Sequence, residues 1–165
     1  MKPQPEEIEI HNNFKPGGIT KDGFLGSDAR HVHDIVGEDG RTLAQLGIDP
    51  EAVADRLQYF IEEGKKGLEN TVDLGDFTVQ VRWQRGMLPC PFGEKGLHHK
   101  LIATVYHKKM DRSLRYSQLN VHMIREHGFF EGKSSIFRLD PEEVVDILGI
   151  SSKPERMGIE HGLNG

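Results

Sequence analysis

Three segments of the chain carry side chains able to do chemistry together. Residues 122–127 read His-Met-Ile-Arg-Glu-His, residues 88–93 read Leu-Pro-Cys-Pro-Phe-Gly, and His98 and His99 stand side by side shortly after. Imidazole and thiolate are preferred zinc ligands, and His pairs three to five residues apart recur in zinc sites. Cys90, between two prolines and close to Gly93, has the form of half a zinc knuckle: a tight turn presents the sulfur while nearby backbone N–H groups offset its charge. The second Cys that would complete a knuckle near Gly93 is absent. Along a strand His98 and His99 point to opposite faces, so one of the two can join. Cys90, His98 or His99, His122 and His127 then form one thiolate and three imidazoles around a single ion. Four protein ligands make a structural zinc site; three with a water make a catalytic one. Zinc is the favoured metal because mixed sulfur and nitrogen donors suit it.

Each of these residues also has a plain explanation. A lone Cys is a small apolar core residue, and a His in the last turn of a helix is favoured by the dipole. On an ideal helix His122 and His127 lie about 140° apart. The pattern His122-x-x-x-Glu126-His127 is one residue longer than the His-x-x-Glu-His of inverted zinc proteases, so that assignment fails on geometry. Glu126 is left as candidate base of some other metal-dependent hydrolase, or as a support for His127. Cys90 as a nucleophile has no spacing rule behind it. His31 and His33, about 200° apart on a helix, and His107, at a strand end, read as surface residues, with His11 and His161 in the terminal segments.

Charge marks a second feature. Over residues 80–115 eight basic side chains face Glu94 and Asp111 alone, a net +6, whereas the other residues carry −11 of the total −5. Arg82, Arg85, Lys100, Lys108 and Lys109, interleaved with Trp83, Phe92 and Tyr106, offer a surface for single-stranded nucleic acid, a phosphate-bearing ligand or an acidic partner. Against this, strand-edge lysines commonly block edge pairing, and Trp83 completes an apolar alternation expected to face the core. Gly132-Lys133-Ser134 matches the end of a phosphate-binding loop, but the required Gly is missing at position 127, and Arg138 with Asp140 reads as local structure. No dinucleotide fingerprint, serine elbow or kinase motif is present.

The elements that must position these residues follow from period and caps. Ser27 or Asp28 caps a short helix with Val32, Ile35 and Val36 that Gly37 stops, and a separate turn runs from Thr42 to Gly47. Asp49-Pro50-Glu51 opens a helix reaching Gly64. The same Asp-Pro-Glu-x-Val-x-Asp pattern recurs at Asp140 and opens a last helix; shared capping chemistry explains the repeat better than duplication. Phe77 to Trp83 and Leu101 to His107 alternate as strands, linked by an unusually long connection from Gly86 to His98. Leu114 to Tyr116 adds a short third strand. Ser117 caps the His helix, Gly128 ends it, and Phe129 and Phe130 anchor the core.

With 165 residues, 36% hydrophobic and 28% charged, the chain suits one domain. The expected architecture is α+β, a small antiparallel sheet of two or three strands packed with four or five helices. Residues 1–26, rich in Pro and Gly, are expected as an extended, draped or partly disordered arm, 27–150 as the domain and 151–165 as a flexible tail. No apolar stretch approaches a membrane span, the start lacks a signal-peptide core, and one Cys excludes an internal disulfide. A cytosolic metal-binding protein is therefore expected. The competing class is a non-catalytic nucleic-acid or protein-binding adaptor using the basic hairpin, and the metal-dependent hydrolase with Glu126 as base stands third.

Overall fold

A computed structural model describes residues 11–151. Among these, an antiparallel meander of four strands is packed with helices: β1 (Val72–Asp73), β2 (Phe77–Pro89), β3 (Leu97–His107) and β4 (Arg112–Ser117), each paired with the next. Four helices have both ends described, namely α1 (Val32–Leu46), α2 (Pro50–Lys65), α3 (Gln118–His127) and α4 (Pro141–Leu148), and a further one ends at residue 13. The α+β class stands, with one strand more than the expected two or three. The extra strand, β1, is two residues long, too short for alternation to reveal, and exists through its pairing of Val72 with Val79 and Asp73 with Thr78. No helix among the described residues is long and apolar enough to cross a membrane.

One face of the sheet makes the main core. Val79 and Val81 of β2, Leu101, Ala103 and Val105 of β3, and Leu114 and Tyr116 of β4 are all buried against α2 and α3. Helix α2 contributes Val53, Leu57, Phe60 and Ile61 at 3.6-residue spacing. Its start is the expected one, with the Asp49 carboxylate accepting from Ala52 N and Pro50 in the first turn. Its end is not: Gly64 lies inside the helix. A Cβ there would sit 2.4 Å from Val81 Cγ2, so glycine is what lets the helix lie against the strand.

Helix α1 corrects the reading of two short pieces. It runs through Gly37 and Gly40 without a break, because Val32, Ile35, Asp39 and Leu43 form one buried stripe. Burial of that stripe, and a two-pronged salt bridge from Arg138 to the Asp39 carboxylate (2.5 and 3.0 Å), outweigh the helix cost of two glycines. Arg138 therefore serves the tertiary fold through Asp39, while Asp140 caps α4 by accepting from Glu142 N and Glu143 N. Asp28 cannot cap α1 because its carboxylate is held by Arg30. His31 takes that place, its Nδ1 accepting from His33 N, with the rings of His11 and His33 stacked on either side at 4.6 and 4.9 Å.

A second core lies at the other end of the sheet, built from Phe14, Phe24 and Leu25 of the N-terminal arm, Val32 and Ile35 of α1, Cys90, and Leu119, Met123 and Phe129. The described part of the arm, residues 11–26, is thus laid onto the domain. It is fastened to the segment after α3: Gly132 N donates to Phe24 O and Ser27 N to Lys133 O. The loop's own amides answer the suggestion of an anion-binding loop: Gly132 N is spent on Phe24 O, and Lys133 N donates to the Asp28 carboxylate. The tail beyond residue 151, and residues 1–10 of the arm, lie outside the described residues.

Glu131 is the acid this core encloses. Only 3% exposed, it accepts from Asn120 Nδ2 at 2.5 Å and Ser135 Oγ at 2.6 Å. Burial raises its carboxyl to about 7, against these two hydrogen bonds, which favour the charged form. The unfolded chain releases this proton near pH 4.5, so the carboxyl favours folding below that pH and progressively less as pH rises to about 7.

Two outcomes follow. Gly64→Ala should destabilise the protein by about 1–3 kcal/mol in urea unfolding, the range for a forced methyl in a packed interface; a Val81→Ala background should recover part of that loss. Between pH 4.5 and 7 the stability of the wild type should fall relative to Glu131→Gln by on the order of 2–3 kcal/mol. A constant difference across that range would refute the second expectation.

Candidate metal centre

The hairpin places Cys90. Strand β2 outruns α2: past Trp83 it shifts register before Met87, and Met87, Leu88 and Pro89 then pair with His99, His98 and Leu97. The long connection expected between Gly86 and His98 is therefore shortened by strand at both ends, to residues 90–96. That loop opens with a tight turn, Gly93 N donating to Cys90 O at 3.1 Å. Trp83, expected in the core, is 49% exposed; it follows Val79 and Val81 on their face, but α2 stops at Lys65, whose ammonium lies over the indole at 5.7 Å.

Helix α3 places the two His. Its start is a complete capping box between Ser117 and Asn120, and its end is Gly128 in the left-handed conformation, with Gly128 N donating to Ile124 O. The other residues of the face, Leu119, Met123 and Ile124, are buried. His122 and His127 are left at the rim, both partly exposed.

Between them comes a residue that spacing rules did not single out. The Glu94 carboxylate reaches from the turn to both rings: Oε1 lies 2.9 Å from His122 Nε2 and 2.5 Å from His127 Nε2. Cys90 Sγ, Glu94, His122 and His127 each offer one ligand atom, and these four atoms lie within 4.8 Å of one another. The 140° between the two His on the helix is bridged by the carboxylate between them. Phe92 fixes the second ring, stacking on His127 with centroids 3.9 Å apart and planes 11° from parallel. Phe92 is in turn held edge-on by Phe14 at 4.8 Å and Phe129 at 5.7 Å, and Asn13 Nδ2 donates to Pro91 O. Arm, turn and helix end thus share one aromatic cluster.

Of the residues expected to meet, Cys90, His122 and His127 do so, and His98 and His99 lie outside the group. His98 packs beside His122, ring centroids 4.3 Å apart, and burial followed by the neighbouring His122 lowers its pKa. His99 packs edge-on against Trp83 at 5.6 Å. Glu126 is exposed and outside the group as well, so the carboxylate beside the imidazoles is Glu94 rather than Glu126. The signal for Glu94 was its place: it stands in the turn where a knuckle would carry its second Cys, and it is one of only two acids in the basic stretch.

Electrostatics in the cluster runs two ways. Hydrogen bonds from His127 and His122 pull the Glu94 carboxyl down to about 2. Burial pushes the Cys90 thiol up to about 12, aided by the adjacent Glu94 and opposed by the Phe92 backbone N–H directed at the sulfur. The cluster by itself holds a protonated thiol against a carboxylate, and a divalent cation would reverse that preference.

The basic surface proves smaller than its composition suggested. Lys108 pairs with Asp73 and Lys109 with Asp76, while Arg112 pairs with Glu143 and Asp146. Arg82, Arg85 and Lys100 have no ion-pair partner among the described residues.

Comparisons of the chain with protein-family models, with curated proteins and with solved structures find no match.

The state of the thiol is directly measurable. At pH 8 without metal, alkylation of Cys90 in the folded protein should run about 10³-fold slower than for an unperturbed thiol, in proportion to its thiolate fraction. Unfolding in urea should restore the ordinary rate. Fast alkylation of the folded, metal-free protein would contradict the burial argument.

Proposed function

We propose that this protein binds one zinc ion through Cys90 Sγ, a Glu94 carboxylate oxygen and one ring nitrogen each of His122 and His127, and that the ion is structural. The observation that carries the reading is the convergence of four ligand atoms within 4.8 Å. Zinc at its usual bond lengths, about 2.0–2.3 Å, holds tetrahedral ligand atoms about 3.3–3.8 Å apart. Separations in the cluster straddle that value, from 2.5 Å between Glu94 and His127 upward. Binding thus requires the outer atoms to close by about 1 Å and the carboxylate to back away from the rings. The donor chemistry favours zinc over magnesium or calcium, which take oxygen ligands.

A structural role follows from ligand count and position. Four protein groups fill a tetrahedral ion. They come from two places only, the turn between β2 and β3 and the middle and end of α3, so the ion would clamp the hairpin tip to the helix. Glu94 is the most solvent-accessible of the four, at 39% of its side chain, and supplies the ligand whose loss should cost least. Phe92 supports the site from outside by fixing the plane of His127.

Elemental analysis of protein purified without a metal-affinity step should find close to one zinc per chain. Cys90→Ser and His122→Ala should each lower zinc affinity by at least 10-fold to 100-fold, and Glu94→Ala by less. Cobalt substitution should give a thiolate-to-metal charge-transfer band that disappears in Cys90→Ser. Unchanged zinc content in Cys90→Ser, or a cobalt spectrum without the sulfur band, would reject the site.

A further inference from the structure

Between the N-terminal arm, the β2–β3 hairpin and the segment after α3 lies a partly open pocket of about 200 Å³ that the metal reading does not use. Its walls include Phe24 of the arm, Ile102 of β3, Leu119 of α3 and Phe137 of the segment after α3. These make a mainly apolar lining, with Asp22, Gln84, His99 and Lys100 on its polar part, and Glu131 lines the same pocket.

No ion pair meets that acid among the described residues, and the charge of Arg138 reaches it only from a distance. The nearby Arg138 spends its guanidinium on the Asp39 carboxylate and on the Glu131 backbone carbonyl, not on the Glu131 side chain. Lys100 also borders the cavity but runs its side chain to Gly86, and no cation lies within ion-pair distance of the Glu131 carboxylate among the described residues. Both existing partners are single hydrogen bonds, one to each oxygen, whereas an ionised carboxylate can accept about four. Asn120 is not free to turn, because its Oδ1 accepts from Ser117 N at 2.8 Å, which commits its amide N–H to Glu131. The segment bearing Glu131 also holds two non-glycine residues in the left-handed region, Glu131 at φ 70° and Ser134 at φ 63°. A strained segment thus presents a buried, hydrogen-bonded acid without an ion-pair partner to a mainly apolar pocket, an arrangement that ligand sites use to fix one polar group of an otherwise apolar molecule.

We propose that this cavity is a binding site for a small organic ammonium compound, with its apolar body between Phe24, Ile102, Leu119 and Phe137 and its amine donating to the Glu131 carboxylate. Size limits the body: a dry cavity of about 150 Å³ accepts benzene, so about 200 Å³ takes a single substituted ring or a short branched chain. Charge limits the polar group. An ammonium supplies both the missing positive charge and donors for the open lone pairs, an alcohol supplies one donor without charge, and a carboxylate would meet a like charge.

The test compares benzylamine, benzyl alcohol and benzoate by NMR titration of the full chain at pH 8. Benzylamine should bind at least 10-fold more tightly than benzyl alcohol, benzoate should not bind, and shifts should centre on Phe24, Ile102 and Leu119. The Glu131 δ-carbon should move with the amine only. In Glu131→Gln the amine should lose its advantage while benzyl alcohol binds as before. Equal affinity for amine and alcohol, no binding of benzylamine at millimolar concentration, or an amine preference that survives Glu131→Gln would each overturn the proposal. The wild-type series decides the matter alone if the variant does not fold. Cys90→Ser should leave amine affinity within twofold, so this site and the metal site fail or stand separately.

Discussion

The position of the Cys90 turn depends on the contact of Phe14 with Phe92 and Phe129. Strand β2 leaves the shelter of α2 at Trp83 and runs on as a two-stranded ribbon, and a two-stranded ribbon has little stability of its own. The three rings meet at 4.8, 5.1 and 5.7 Å, all edge to face, and join arm, turn and helix end in one packed unit. Without that unit Cys90 would be a thiol on a free loop. With it the thiol is 2% exposed, and the imidazole of His127 is held flat against Phe92. Contact geometry of this kind is worth about 0.5–1.5 kcal/mol per aromatic pair beyond area burial, enough to select one orientation of a short turn.

Readability from sequence followed the range of the interaction. Both ends of α3 and the start of α2 were legible because Ser117, Gly128, Asp49 and Pro50 act on backbone groups within a few residues of themselves. Glycines misled where the deciding partner was distant. Gly37 and Gly40 look like stops, yet Arg138, about a hundred residues away, ties down Asp39 between them. Gly64 looks like a C-cap and is instead the point where helix and strand touch. Trp83 looks like core because alternation reports which face a side chain takes, and says nothing about whether a helix still covers that face.

The site divides in the same way. Cys90, His122 and His127 could be named from residue type and spacing, and the geometry brings them together. His98 and His99 could not be resolved, since both lie on the adjoining strand and only packing decides which ring reaches the cluster; neither does. Glu94 was hidden by residue type. A search for thiolate and imidazole passes over a carboxylate, although the turn's half-knuckle form leaves one position open and Glu94 stands there. Helical angle, counted as an obstacle to His122 and His127 acting together, ceases to be one once the third group comes from outside the helix and lies between them.

Cys90 and Glu131 are two buried groups whose protonation the fold treats in the same manner and for different ends. Burial raises both, the thiol to about 12 and the carboxyl to about 7, and in each case neighbouring donors work against burial. Beside Cys90 stand three further ligand groups, so a cation can convert the protonated thiol into a bond and recover the cost of its burial. Beside Glu131 stand two hydrogen-bond donors and mainly apolar walls, and neither Asp22 nor His99, which line the same pocket, is hydrogen-bonded to it. A metal has no ligand set there, and what the carboxylate lacks is a single positive charge with protons to donate. The difference in neighbours, rather than in depth, is what sets a buried group that stands among metal ligands apart from one that stands among hydrogen-bond donors.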